Sequence, residues 1–339
     1  MNLRYWIFIL GFIGLTGWQV IGRFEGFKKP QNFPEPVYDF KSNTVTKEGF
    51  ELGRKLFYEP RLSRDNTISC GSCHIQSFAF THHGHDVSHG IEDRLGTRNS
   101  PPIMNLAWSK SFFWDGGVFH LDLQPLVPIT THSEMDEKLS VVIEKLKQHP
   151  EYPALFNKVF GMPEINSANL LKALSQFMLM CISSNSKYDK VMRKEGAVFT
   201  TEEQKGYTLF KKNCADCHKE PLFTDGSFRN NGLLPGLNDD RGRFMITLDS
   251  ADTYRFKVPS LRNIEFTGPY MHDGRFNDLG QAIDHYRFNV QHTSTLDPLM
   301  EQNGRHGFPM TDEEKASILS FLKTLTDKEF LTNPMLAEQ

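Results

Sequence analysis

Cys70-Gly-Ser-Cys73-His74 recurs as Cys214-Ala-Asp-Cys217-His218, and this doubled stretch decides how the sequence is read. C-x-x-C-H is the attachment signature of a c-type haem. Each thiol can bond to a vinyl-derived carbon of the porphyrin, which sets the adjacent imidazole under the ring as an iron ligand. Three other readings of the cysteines fit less well. A zinc ribbon needs its two C-x-x-C knuckles ~15–20 residues apart, whereas Cys73 and Cys214 are 141 apart (214 − 73). A thioredoxin-like pair requires no histidine after each second cysteine. A disulfide framework suits a small loop-rich scaffold rather than 339 residues. The fifth cysteine, Cys181, ends a run in which Leu170, Leu171, Leu174, Phe177 and Met178 recur at helical spacing, so it reads as a core thiol.

Around these motifs the composition is that of a globular chain, with 39% hydrophobic and 23% charged residues. That mix excludes collagen-like, coiled-coil and wholly disordered chains, and the length suits about two domains. With 38 basic against 41 acidic residues the net charge is −3, which offers no footprint for nucleic acid. The 28 phenylalanines suit packing around a large flat apolar group and equally an ordinary aromatic core. Between Arg4 and Arg23 lie 18 uncharged residues, Tyr5 to Gly22. Residues 1–23 therefore read as a membrane anchor or a cleaved signal, which places the rest in the periplasm, tethered to the inner membrane if the segment stays. Residues 24–41 follow as an extended, proline-rich spacer.

The two halves resemble each other beyond the haem motifs. Phe80-Thr81 follows the first motif and Phe223-Thr224 the second, while Asn105 precedes Asp115 by ten residues, as Asn263 precedes Asp273. Trp114 and His272 hold equivalent places. The spacing predicts an internal repeat, with an N-terminal domain over 42–187, a C-terminal one over 188–330, and a polar linker near 184–201. Helices are expected over 46–57, from the Thr200-x-x-Glu203 capping box to Lys211, from the cap Asp278 to Tyr286, and from the Thr311-x-x-Glu314 box to Leu325. No alternating strand pattern of useful length appears. The expected fold class is all-α: two tandem cytochrome c-like domains, each with one covalent haem and long connecting loops.

Arg98-Asn-Ser-Pro101, Phe113-Trp-Asp-Gly116, Glu134-Met135 and Val258-Pro-Ser-Leu-Arg-Asn263 through Pro269-Tyr-Met-His-Asp-Gly274 carry a further likeness. From about Gly49 to Leu325 the chain resembles the bacterial di-haem cytochrome c peroxidase family. The resemblance implies an oxidoreductase in which the N-terminal haem reacts with hydrogen peroxide and the C-terminal haem relays electrons. The donor would be a small redox protein of cytochrome c or cupredoxin type, and a homodimer is compatible with the family. On this resemblance His74 and His218 are the proximal ligands, and Glu134 and Gln124 are the distal acid and amide. Peroxide heterolysis needs a group to carry a proton from the inner to the leaving oxygen, and an amide to position the peroxide and steady the developing charge. Trp114 would couple the haems, while Asn99, Thr267 and Pro269 would hold a calcium ion between them through neutral oxygens.

Two places depart from the peroxidase pattern. A histidine ligand on the distal side of the first haem matches His89 counting from Cys70, but the register counted from Asn99 differs, and His82, His83 and His85 are rivals. If none binds, that haem needs no reductive activation. Where peroxidases carry a methionine as second ligand of the relay haem, Tyr286 stands here, as in the MauG-like branch. Met271, His285 and Met300 are its rivals. A phenolate favours the ferric state where methionine raises the potential. Three readings follow: a di-haem peroxidase fed by a small redox protein, a MauG-like enzyme oxidising a protein partner, and a non-enzymatic di-haem electron carrier. The last would need neither Glu134 nor Gln124.

Overall fold

The computed structural model describes residues 24–339 apart from 163, 237 and 303. The anchor or signal segment, 1–23, lies outside the described residues; among them, no helix is long and apolar enough to cross a membrane. The fold is helical, with two antiparallel ladders of two strands each, Phe228–Arg229 with Phe256–Lys257 and Glu301–Gln302 with Arg305–His306.

Each half rests on one close helix crossing. In the first, Lys47–Phe57 starts from Thr46, whose hydroxyl accepts the Gly49 N–H, and crosses Ser167–Met180. At the crossing, a Cβ on Gly53 would lie 2.0 Å from the Ala173 carbonyl oxygen. In the second, Thr201–Asn213 crosses Asp312–Lys323, and a Cβ on Gly206 would lie 1.9 Å from the Ser317 oxygen. Only glycine allows these backbones so near. The capping boxes at Thr200/Glu203 and Thr311/Glu314 form as the sequence predicts.

The repeat is written into the backbone as well. Left-handed φ occurs at Asn105 and Asn263, at Phe113 and Met271, and at Gly116 and Gly274. Each pair is separated by 158 residues, as are the bridges Phe112–Val118 and Tyr270–Phe276. The sharp turn holding Trp114 is thus built twice, the second time around His272. The phenylalanines serve the cores: Phe57 meets Phe177 at 4.8 Å in the first, and Phe210 meets Phe321 at 5.1 Å in the second.

Two segments are tied down more firmly than the sequence shows, and two element ends differ from expectation. The proline-rich spacer is extended but not free: Phe33 is 3% exposed, packs edge-on against Trp108, and Pro34 accepts the Trp108 indole N–H at 2.8 Å. A large indole at the surface of the first core needs both a lid and an acceptor. The polar linker is ordered. It contains the helix Lys187–Met192, whose Asp189 forms a bidentate pair with Arg262 at 2.8 Å, both side chains fully buried. Two buried charges must be paired in this way. The end of the chain leaves the second half, for Phe330, Leu331 and Leu336 bury in the first core. Finally, the helix from Leu279 ends at Asp284 and continues as a π-turn, His285–Asn289.

Candidate haem sites

In each motif the local fold prepares one imidazole. Cys70–Cys73 forms a single turn, and His74 Nδ1 donates to the Phe80 carbonyl at 2.6 Å. His218 Nδ1 lies 3.1 Å from both the Phe223 and Pro259 oxygens. Phe80 and Phe223 both take left-handed φ, 60° and 55°, which turns their carbonyls toward the rings. With Nδ1 so engaged, Nε2 keeps its lone pair for a metal. The four motif cysteines form no disulfide with one another, and burial pushes the thiols up, Cys70 and Cys214 to about 12 and Cys73 and Cys217 to about 11. These residues open onto two cavities, one per motif. The first measures about 870 Å³ and is lined largely by apolar side chains, and the second is likewise apolar. Thiols, imidazole and an apolar chamber together fit a covalent haem in each.

Glu134 and Gln124 both line the first cavity. Gln124 follows the turn Leu121–Leu123, its N–H bonded to the Leu121 oxygen at 3.0 Å. Glu134 is held by its N–H to Thr131 and by its own carbonyl, which accepts the Ile91 N–H at 2.8 Å. That approach demands Gly90, where a Cβ would lie 2.3–2.5 Å from Ser133 and Glu134 backbone atoms. Burial, with no compensating partner, pushes the Glu134 carboxyl above the usual carboxylate range.

Of the four histidines in this loop, His89 borders the first cavity, and His82, His83 and His85 do not. Both His89 nitrogens are engaged, Nδ1 with Asp93 at 2.9 Å and Nε2 with His85 at 3.2 Å. His83 stacks on Phe78 at 3.8 Å, and His82 is buried with Nδ1 unbonded. His89 is thus the histidine of this loop that stands at the cavity, with His85 and Asp93 beside its ring.

The second cavity is lined by Tyr286, Met271 and Met300, whereas the fourth candidate, His285, turns away and bonds the Asn231 carbonyl at 3.1 Å. Asn231 Nδ2 donates to the Tyr286 hydroxyl oxygen at 3.2 Å. Burial raises the phenol to about 12, against this bond, which favours its anion. The π-turn beneath Tyr286 is of a kind found at functional sites.

Trp114 and Asn99 line both cavities. Thr267 and Pro269 line the second, and their carbonyls accept no hydrogen bond among the described residues. The expected calcium positions Asn99, Thr267 and Pro269 all line the second cavity, and the Asn99 amide N–H₂ donates to the His85 and Asp86 carbonyls. Sequence reasoning missed Asn231, Gly90 and Lys257. Lys257 also lines both cavities, bonds the Ser111 carbonyl at 2.8 Å, and is lowered to about 8 by burial, with Asp115 opposing. Its one sequence signal is that it immediately precedes Val258-Pro259.

A helical chain with two such chambers is a di-haem c-type cytochrome. The sequence model for di-haem cytochrome c peroxidase matches residues 47–197, and that for cytochrome c matches 203–326. The methylamine utilization protein MauG of Methylorubrum extorquens is 34% identical over 91% of this chain and 86% of its own. Cytochrome c551 peroxidase of Nitrosomonas europaea is 33% identical over 86% of this chain and 84% of its own. Among solved structures, a MauG-like protein associated with microbial copper homeostasis superposes with a TM-score of 0.82 at 31% identity, covering 91% of this chain and 97% of that one. The chain belongs to the di-haem cytochrome c peroxidase family and is an oxidoreductase built for two c-type haems.

Proposed function

We propose that this enzyme consumes hydrogen peroxide at the first cavity, with electrons supplied through the second by a small redox protein. The observation that carries the reading is the pairing of Glu134 and Gln124 in the first cavity with Trp114 in the wall it shares with the second. The bound haems supply iron redox chemistry and hold electrons. Glu134 takes the proton from the inner peroxide oxygen and delivers it to the leaving one. Its raised pKa brings it nearer the working pH of a proton shuttle. The Gln124 amide orients the peroxide and donates to the charge that develops. The buried Lys257 ammonium, bonded in this structure to the Ser111 carbonyl, would pair with a porphyrin carboxylate once a haem is bound. Asn99, Thr267 and Pro269 would hold a calcium ion through neutral oxygens, which favours weak binding. The work is done in the periplasm.

One observation favours a second reading. Tyr286, with Asn231 on its hydroxyl, stands in the second cavity where peroxidases present methionine. A phenolate there resists reduction by a mild donor, and the relation to MauG points to oxidation of a protein partner. Steady-state assays separate the readings. Sustained peroxide loss with a reduced small cytochrome c supports the first; peroxide loss only alongside covalent oxidation of a partner protein supports the second. No peroxide loss under either condition leaves an electron carrier and overturns both.

A further inference from the structure

We propose that His292, Glu301 and His306 form a surface site for a divalent transition-metal cation, separate from both haem cavities. One donor atom from each residue lies within 4.8 Å of the other two. The hairpin ladder sets Glu301 opposite His306, so the two side chains leave the same face, His306 Nε2 being 4.0 Å from Glu301 Oε2. His292 arrives from the preceding loop and stacks on His306, ring centroids 5.2 Å apart and planes 19° apart.

Donors sharing a metal at ~2.0–2.2 Å lie ~3.2–3.5 Å from each other in a tetrahedral arrangement. The three groups therefore need to close by about 1 Å. All three side chains are exposed, so this costs rotamer changes and no movement of the core. The backbone that carries them is already fixed. The Gln291 N–H donates to Gly232 at 2.9 Å, the Asn230 amide donates to the Thr293 and Thr295 hydroxyls, and Gly307 N–H donates to Met300 at 2.7 Å.

Two imidazoles and one carboxylate suit Zn²⁺ or Cu²⁺ and are poor for Ca²⁺ or Mg²⁺, which take oxygen shells. Three protein ligands on an exposed hairpin leave at least one position to water, the arrangement of an open site. The location has a consequence too. Met300 and Phe308 flank the hairpin and line the second cavity, and Phe308 N–H donates to the Tyr286 carbonyl at 2.7 Å. A cation held by the hairpin thus sits on the outer wall of the cavity that contains Tyr286.

The test is isothermal titration of the haem-loaded protein with Zn²⁺ and, separately, Cu²⁺. Wild type is compared with His306→Ala and Glu301→Gln, each checked for an unchanged haem spectrum. The expected result is saturable binding in which His306→Ala loses one equivalent or weakens it at least about tenfold, with Glu301→Gln weakening the same equivalent. The difference from wild type is what counts, so histidines elsewhere do not confuse it. Wild type without saturable binding of either ion, or variants that bind with its stoichiometry and affinity, would overturn the proposal.

Discussion

The indole N–H of Trp114 donates to the main-chain oxygen of Asn99 at 2.9 Å, and the same residue's N–H donates to the His272 oxygen at 2.7 Å. Trp114 and His272 are the equivalent residues of the two repeats, so one asparagine ties the centre of each half to the other. Arg98, next in the chain, holds Asp115 of the first half and Asp240 of the second. The wall between the cavities is therefore a hydrogen-bonded strip, with Trp114 its aromatic member.

Trp114→Phe keeps an aromatic ring but removes that N–H, leaving the Asn99 oxygen without its indole donor. The expected stability loss is about 1–2 kcal/mol. Stopped-flow measurement should show the first cavity reacting with peroxide at its normal rate and electron delivery from the second slowed. Equal slowing of both steps would mean the variant had merely disturbed the fold.

Glu134→Gln should retain both haems and their spectra while peroxide turnover falls roughly 10²-fold or more. Stability should move the other way. The folded carboxyl pKa is raised, so its favourable contribution is present below the unfolded value and is lost as pH rises through the folded one. At neutral pH the wild-type carboxylate is thus a burden that glutamine lacks. Thermal melts should put the variant at or above wild type at pH 7, with the gap closing below about pH 4.

Tyr286→Phe probes whether the phenol is an iron ligand. Both covalent attachments should survive in mass spectra, while the ferric spectrum and potential of the second haem change. The Asn231 amide, which bonds the hydroxyl in the wild type, loses that acceptor. An unchanged spectrum and potential would remove Tyr286 as the ligand, leaving Met271 or Met300 in that place or the position open.

Arg262→Ala should be among the most destabilising single changes in the second half. It strands a fully buried Asp189 carboxylate and strips the Phe33 ring of a guanidinium 4.7 Å away. Removing one partner of a buried pair costs about 3–5 kcal/mol. Burial pushes the Asp189 carboxyl up, but Arg262 and its other hydrogen bonds outweigh this and hold it below the ordinary range. The pair's stabilisation is therefore present above about pH 4 and fades as pH falls through the folded value. Denaturant melts of wild type and variant should converge in acid.

What this sequence determined by itself is local. Two C-x-x-C-H motifs set the covalent chemistry within five residues each. The boxes at Thr200 and Thr311 cap their helices within one turn, and the ten-residue Asn–Asp spacing shared by Asn105/Asp115 and Asn263/Asp273 betrays the repeat. Such features act over short stretches of chain, so they are legible before folding. The resemblance extended this to Glu134, Gln124 and Trp114, whose cavity positions the structure displays. Other features needed the tertiary structure, because each joins residues far apart in the chain. Asn231 meets Tyr286 across 55 residues, Arg262 meets Asp189 across 73, and Arg54 of the first helix bonds Met335 across 281. No spacing rule foretells that His89 would spend both nitrogens on His85 and Asp93, or that Lys257 would be buried between two cavities. Burial raised Glu134 and Tyr286 and lowered Lys257, and burial is a property of packing between segments that the order of residues does not display.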